Sequence, residues 1–206
     1  MGLNFNEAMS VTRQDFGKHV APLFRSMWSG CEIYSNEKHP DPLRRLLDDY
    51  AGKDYVIFHK EWGMPFSLAS RIQRTGFSYD TFTVRNKRDS GSATEYEKRR
   101  KAIVAGGEYP TLTLQAYLTK DGASLLKLAI VRTVDLFEYL RCNEGKLEKK
   151  HTGTEQSGQA EFIVAKWSEL GRKYAVSVFE PKDNGWLKTY RNNTGQVKEF
   201  LRRQSS

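Results

Sequence analysis

The chain has few cysteines and no long apolar run. Cys31 and Cys142 are the only two cysteines among 206 residues and form no C-x-x-C motif, so a cysteine-based zinc site is not expected. A chain of this length folds without a disulfide, and we expect two buried free thiols. No stretch approaches the ~20 apolar residues of a membrane span, and residues 1–7 lack the basic start and apolar run of a signal peptide. These absences predict a cytoplasmic protein without a membrane partner.

The short motifs of common nucleotide-using enzymes are also missing. The sequence contains no P-loop, no G-x-G-x-x-G and no G-x-S-x-G, which argues against an ATPase or a dehydrogenase. A Ser/His/Asp hydrolase stays open, because its triad is assembled in space rather than in sequence. The four histidines are too widely separated for a local metal motif.

Positive charge is what the sequence has in excess. It carries 33 Lys and Arg against 25 Asp and Glu, a formal net charge of +8. Such a surplus attracts polyanions, and it fits a nucleic acid, an anionic membrane surface or an acidic protein. Aromatic residues make up 12% of the chain, which argues against disorder. Nucleic acid is the leading expectation and an acidic protein the second.

The hydrophobic spacing predicts a single α/β (α+β) domain, in which a mixed sheet of about five to seven strands is flanked by helices. We expect residues 55–58, 66–73 and 81–85 to be neighbouring antiparallel strands of one sheet. Thr94 and Glu97 form a capping box that begins a helix. The other predicted elements are a helix over 6–28 interrupted at Pro22, a loop over 29–40, a helix over 42–50, a hairpin of 111–118 with 126–132, a helix over 134–140, an exposed loop over 141–159, strands over 160–167 and 174–179, and a basic tail over 195–206.

Asp54 is the first candidate for chemistry, because it lies at the entrance of a predicted strand. A carboxylate at the edge of a sheet is a good oxygen ligand for Mg²⁺, and the ion can activate water and stabilise a departing phosphate oxygen. The alternative is a solvated loop carboxylate. The sequence leaves the two alternatives open.

Arg71 and Gln73 are the second candidate. In a strand over 66–73 they would point to the same face, where Arg can hold a phosphate bidentately and Gln can add a hydrogen bond. The alternative is an edge strand whose polar face meets water.

The third candidate is a basic block from 85 to 101, which has seven positive and three negative residues. We expect phosphate contacts from Arg85, Lys87, Arg88, Arg99 and Arg100. The alternative is an exposed helix with internal salt bridges, since acidic side chains lie four residues before basic ones. A fourth basic stretch, over 182–203, interleaves aromatics with cations, as base stacking requires, although a docked terminal helix would have the same composition.

The run from 46 to 104 resembles the core of the PD-(D/E)xK nuclease superfamily. That family places a helix before a three-strand meander, then a helix and a further strand, with a metal-binding Asp at the second core strand and a Glu-x-Lys pair on the next. Asp54 matches the Asp, whereas the Glu-x-Lys position reads Ala69-Ser70-Arg71 or Arg71-Ile72-Gln73, without the acidic residue or the lysine. The resemblance implies a nuclease-like scaffold with catalytic positions at Asp54, Arg71 and Gln73.

Three functional hypotheses follow from these observations. The first is a nucleic-acid-binding protein on a nuclease-like scaffold. The second is a magnesium-dependent nuclease, with Asp54 as a ligand and a second carboxylate from Glu61, Asp80 or Glu95. The third is a non-enzymatic protein whose basic face binds or inhibits an acidic protein.

Overall fold

The computed structural model describes residues 5–36, 41–42, 51–59, 65–88, 93–152, 160–182 and 185–188. The helices are α1 (Phe5–Asp15), α2 (Ala21–Met27), α3 (Glu95–Ala105), α4 (Thr133–Cys142) and α5 (Trp167–Leu170). The strands are β1 (Cys31–Ser35), β2 (Tyr55–His59), β3 (Phe66–Arg74), β4 (Thr81–Arg88), β5 (Leu112–Leu118), β6 (Leu125–Arg132), β7 (Lys149–Thr152), β8 (Ala160–Lys166), β9 (Val176–Lys182) and β10 (Gly185–Lys188).

These strands form a mixed seven-stranded sheet and a smaller three-stranded one. The large sheet has the order β1-β2-β3-β5-β6-β9-β10, and the small sheet has the order β4-β8-β7. β3 and β5 pair in parallel, while the other described pairs are antiparallel. A parallel pair needs a crossover, and β4 followed by α3 supplies it. The predicted α+β class with a mixed sheet is confirmed.

The N-terminal helix is interrupted where Pro22 was expected to disturb it. Residues Phe16–Val20 form a π-helical turn, in which the N–H of Ala21 donates to the carbonyl oxygen of Phe16. A proline has no N–H to donate and its ring clashes with the carbonyl four residues earlier, so the wider turn accommodates it. The helical segment buries Phe16, Leu23 and Phe24 against one face of the large sheet.

The prediction of a loop over 29–40 was wrong for residues Cys31–Ser35, which form β1, the edge strand beside β2. Cys31 is buried and Ile33 half-buried, while Glu32 and Tyr34 are exposed. This alternation is typical of a strand with one face exposed to solvent. The helix predicted over 42–50 falls almost entirely outside the described residues.

The third predicted strand, β4, was placed in the wrong sheet. Phe82 and Val84 do lie on one face, but they pack in the small sheet against a core that includes Trp167. The turn between β3 and β4 carries Gly76 at φ 80° and Asp80 at φ 52°, and it directs the chain out of the large sheet. β5 takes the place beside β3 instead.

β5 is buried on both faces, and its two polar side chains, Thr113 and Gln115, form hydrogen bonds there. Leu112, Leu114 and Leu118 face the core under α1 and α2. Tyr117 joins the second core, toward the small sheet. The two sheets therefore meet across the β3–β5 side of the large sheet.

Two further expectations are corrected by the structure. Within the predicted exposed loop over 141–159, β7 (Lys149–Thr152) pairs with β8, while 153–159 and the tail over 195–206 lie outside the described residues. Cys31 and Cys142 are both free, but Cys142 is exposed rather than buried. No helix among the described residues is long and apolar enough to span a membrane.

Candidate functional site

A cleft of about 240 Å³ opens between the two sheets, where β3 and β5 face β4, β7 and β8. It combines cationic, hydroxyl, amide and aromatic side chains, which is the mixture that recognises polar ligands with planar rings. The lining residues are Arg71, Gln73, Thr75, Tyr79, Thr81, Thr83, Tyr117, Lys150 and Phe162.

Strand alternation brings Arg71 and Gln73 into this cleft together, as the sequence predicted. Ile72, between them, packs on the opposite face against the core under the N-terminal helices. A chain of amide contacts holds Gln73: the Nε2 of Gln115 donates to its Oε1 at 3.1 Å, and Thr83 Oγ1 donates to the Oε1 of Gln115 at 3.2 Å. These bonds tie the wall of the cleft on β3 to β5 and β4.

Tyr117 closes the cleft on the large sheet. Its hydroxyl donates to the carbonyl oxygen of Thr81 at 2.8 Å and lies 2.9 Å from the Thr81 side-chain oxygen. Burial raises the pKa of Tyr117 to about 12. The phenol is therefore neutral near pH 7, where it acts as a hydrogen-bond donor and not as a general base.

Two arginine side chains and one backbone N–H contact a single carboxylate beside the cleft. Glu95, at the start of α3, lies 2.5 Å from Arg99 and 3.3 Å from Arg71, and it accepts a bond from the backbone N–H of Arg85 at 3.5 Å. The guanidinium carbons of Arg71 and Arg85 lie 4.6 and 5.4 Å from the ring centroid of Phe162. We call Arg71, Arg85, Arg99 and Glu95 the arginine cluster.

The charges of the arginine cluster do not balance. Burial by itself raises the pKa of Glu95, but Arg99 and Arg71 outweigh it and hold that pKa below its ordinary value. Glu95 is therefore ionised near pH 7. The two guanidinium groups of Arg71 and Arg99 against the one carboxylate of Glu95 leave a surplus of one positive charge at a half-buried place, which favours an anion.

Two exposed aromatic side chains, Phe77 and Tyr79, lie together on the turn between β3 and β4. We call them the aromatic pair. Their ring centroids are 4.5 Å apart, and Lys150 Nζ lies 4.6 Å from the centroid of the Tyr79 ring. Sequence reasoning overlooked this site. Two aromatics at alternate positions in a polar, glycine-containing turn were the available signal.

No protein-family model, curated protein or solved structure matches this chain. The resemblance to the PD-(D/E)xK superfamily stays an expectation based on element order and Asp54. In the structure the three-strand meander is β1-β2-β3, so Asp54 directly precedes the second strand rather than the first.

Asp54 has no second carboxylate beside it among the described residues. Its Oδ2 accepts the backbone N–H of Ser70 at 2.5 Å, and β3 offers no carboxylate beside it. Of the expected second ligands, Glu95 is bound by arginines and Asp80 lies 3.2 Å from Lys127, while Glu61 is outside the described residues. Across the part of the chain that the structure describes, no three His, Cys, Asp or Glu side chains come together as a metal site.

The basic block over 85–101 does not form the single surface that was predicted. β4 and the start of α3 do lie together, as expected, since the backbone N–H of Arg85 reaches Glu95. Arg99, however, is buried and paired, so it is not an exposed phosphate contact. Arg100 lies over the Tyr96 ring at 6.0 Å and 3.8 Å from Glu144, in different surroundings from Arg85.

Two further cations of the block, Lys87 and Arg88, are on β4. Lys87 is exposed, and the side chain of Arg88 is outside the described part. The expected ion pair of Glu95 with Arg99 forms, whereas Glu97 serves the capping box with Thr94. The cations that line the cleft are therefore Arg71 and Lys150 rather than the whole block.

Proposed function

We propose that this protein binds nucleic acid and holds a backbone phosphate at the arginine cluster. The observation that carries the proposal is the excess of positive charge there, with the guanidinium groups of Arg71 and Arg99 sharing the single carboxylate of Glu95. A half-buried surplus of cations is costly without an anion, and phosphate oxygens satisfy guanidinium donors well.

The aromatic ring beneath two of the arginines supports a phosphate ligand. Arg71 and Arg85 both lie over Phe162. A guanidinium stacked on a ring is pre-organised, so less entropy is lost when it forms paired hydrogen bonds to a phosphate. The chain's net charge of +8 adds long-range attraction for a polyanion.

The test is binding of a short single-stranded oligonucleotide, followed by fluorescence anisotropy between about 50 and 200 mM salt. Arg71→Gln should lower affinity about tenfold or more, because a charge-assisted hydrogen bond is worth about 1.5–3 kcal/mol. The log–log salt slope should become shallower by about 0.7, which corresponds to one phosphate contact on a single strand.

Arg141→Gln is the matched control. Arg141 is an exposed arginine on α4 that does not line the cleft, and its substitution changes net charge equally. The affinity of the Arg141→Gln variant for the oligonucleotide and its salt slope should stay close to those of the wild-type protein. Equal losses in the two variants would show that only total charge matters. Tighter binding of an acidic peptide than of the oligonucleotide would support an acidic protein partner instead.

A further inference from the structure

We infer that the aromatic pair, Phe77 and Tyr79, stacks on unpaired bases, so that the protein binds single strands in preference to duplexes. This inference rests on the proposed function and names the form of nucleic acid that the cleft takes. The arginine cluster would hold the backbone and the aromatic pair would hold the bases.

The exposure of the aromatic pair is the first support. Phe77 is 55% exposed and Tyr79 45% exposed, and their rings are in contact. Large exposed apolar side chains are few among the described residues, and the others, Tyr34 and Val104, lie elsewhere on β1 and α3. Adjacent aromatic side chains that are about half exposed beside a polar cleft are typical of a ligand surface.

The turn that carries the aromatic pair is held by its own hydrogen bonds. The backbone N–H groups of Thr75 and Gly76 both donate to the carbonyl oxygen of Leu118, at 3.1 and 3.0 Å. Farther along, Ser78 Oγ donates to the Oδ1 of Asp80 at 2.6 Å. A turn fixed in this way loses little conformational entropy when a ligand stacks on its rings.

The arrangement of cations favours a nucleic acid strand as the occupant. Lys150 lies over the Tyr79 ring, and Tyr79 and Arg71 line the same cleft. A single strand presents bases and phosphates in alternation, which matches rings interleaved with cations. In a duplex the base faces are covered by their neighbours, so only base edges and phosphates are available.

The experiment measures the affinity of three probes of equal length: a mixed-sequence single strand, a single strand whose residues are abasic, and a duplex. The wild-type protein should bind the normal single strand more tightly than the other two. Tyr79→Ala should weaken binding of the normal strand about 5- to 150-fold, the range for loss of one stacked base. It should leave abasic binding and the salt slope unchanged, because no phosphate contact is removed.

Two control variants separate stacking from other effects. Tyr79→Phe keeps the ring and removes the hydroxyl, so it should bind the single strand like the wild type. Tyr34→Ala removes an exposed aromatic from edge strand β1 and should also bind normally. Circular dichroism and thermal unfolding of each variant should match the wild type, since these side chains are exposed.

The outcomes distinguish this inference from the proposed function. If Tyr79→Ala binds the normal strand as tightly as the wild type, or if the duplex binds as tightly as the single strand, stacking is refuted. If Arg71→Gln still weakens binding in that case, the proposed phosphate contact is retained and only the stacking inference fails. If no probe binds at low salt, the proposed function itself fails.

Discussion

Replacing Glu95 with glutamine should weaken the fold and tighten nucleic-acid binding at the same time. Glu95 neutralises part of the arginine cluster, with contacts of 2.5 Å to Arg99 and 3.3 Å to Arg71. Glutamine keeps the size of the side chain and an oxygen that can accept from the Arg85 N–H. It removes only the negative charge.

The cost in stability comes mainly from Arg99, whose side chain is only 8% exposed. Without the Glu95 carboxylate, the Arg99 guanidinium still donates a hydrogen bond to the carbonyl oxygen of Gly52, at 3.4 Å. Breaking a buried ion pair costs about 3–5 kcal/mol, and the 22% exposure of Glu95 reduces this to about 2–4 kcal/mol. Urea unfolding at pH 7 measures the difference directly.

The pH dependence has a defined sign. The pKa of Glu95 is lowered in the folded protein, so the carboxylate stabilises the fold above about pH 4.5 and loses this effect as the pH falls through its folded pKa. The stability difference between wild type and Glu95→Gln should therefore shrink below pH 4.5.

The gain in binding comes from the change in local charge. The surplus formed by Arg71 and Arg99 against Glu95 rises from one positive charge to two, and Arg71 loses its carboxylate partner. Removal of one partly screened repulsion is worth about 1 kcal/mol, which is about fivefold in affinity for the oligonucleotide.

Glu97→Gln is the matched control for both measurements. It removes the same charge two residues along α3, and glutamine can preserve the capping box with Thr94. It should cost clearly less stability than Glu95→Gln and bind with nearly unchanged affinity. If Glu95→Gln is as stable as the wild type, Glu95 does not neutralise a buried charge. If the folded variant binds more weakly, the arginine cluster does not hold a phosphate.

Two further predictions concern stability. Gly122→Ala should destabilise the protein by about 1 kcal/mol more than Gly145→Ala in urea unfolding. Both glycines have positive φ, of 71° and 88°, but an added Cβ at 122 would clash with the Arg74 guanidinium, which two hydrogen bonds hold to the buried Asp15, whereas one at 145 meets nothing within 4 Å. Equal costs would show that Arg74 moves aside freely. The free energy of unfolding should also fall as the pH rises from 10 to 12, because Tyr117 stays neutral in the folded protein but ionises in the unfolded chain. The rise of its pKa to about 12 corresponds to about 2.7 kcal/mol. The Tyr117→Phe variant should lose less stability over the same pH interval.

Local patterns in the sequence predicted most elements of the fold. The capping box of Thr94 and Glu97 begins α3, and Gly106 ends it with φ 64°. The hairpin of β5 and β6 and the interruption near Pro22 also follow from neighbouring residues. These features depend on contacts between residues a few positions apart, so they can be predicted from the local sequence.

Prediction failed where an element's neighbours were distant in sequence. Strand β1 has only a half-buried alternation, and it is stabilised by pairing with β2 across a long connection. β4 has a clear strand pattern, but nothing within it states that its partner is β8 rather than β3. Strand propensity predicts an extended backbone and leaves the partner undetermined.

The same division holds for the candidate site. Alternation along β3 was sufficient to place Arg71 and Gln73 on one face, because side-chain direction in a strand has period two. Composition alone established the positive surplus that attracts a polyanion. The tertiary structure decided which cations can meet a ligand: it buried Arg99 against Glu95 and brought Lys150 over Tyr79 from a strand about seventy residues away. Contacts between residues so far apart depend on how the two sheets pack, and periodicity along the chain does not record that packing.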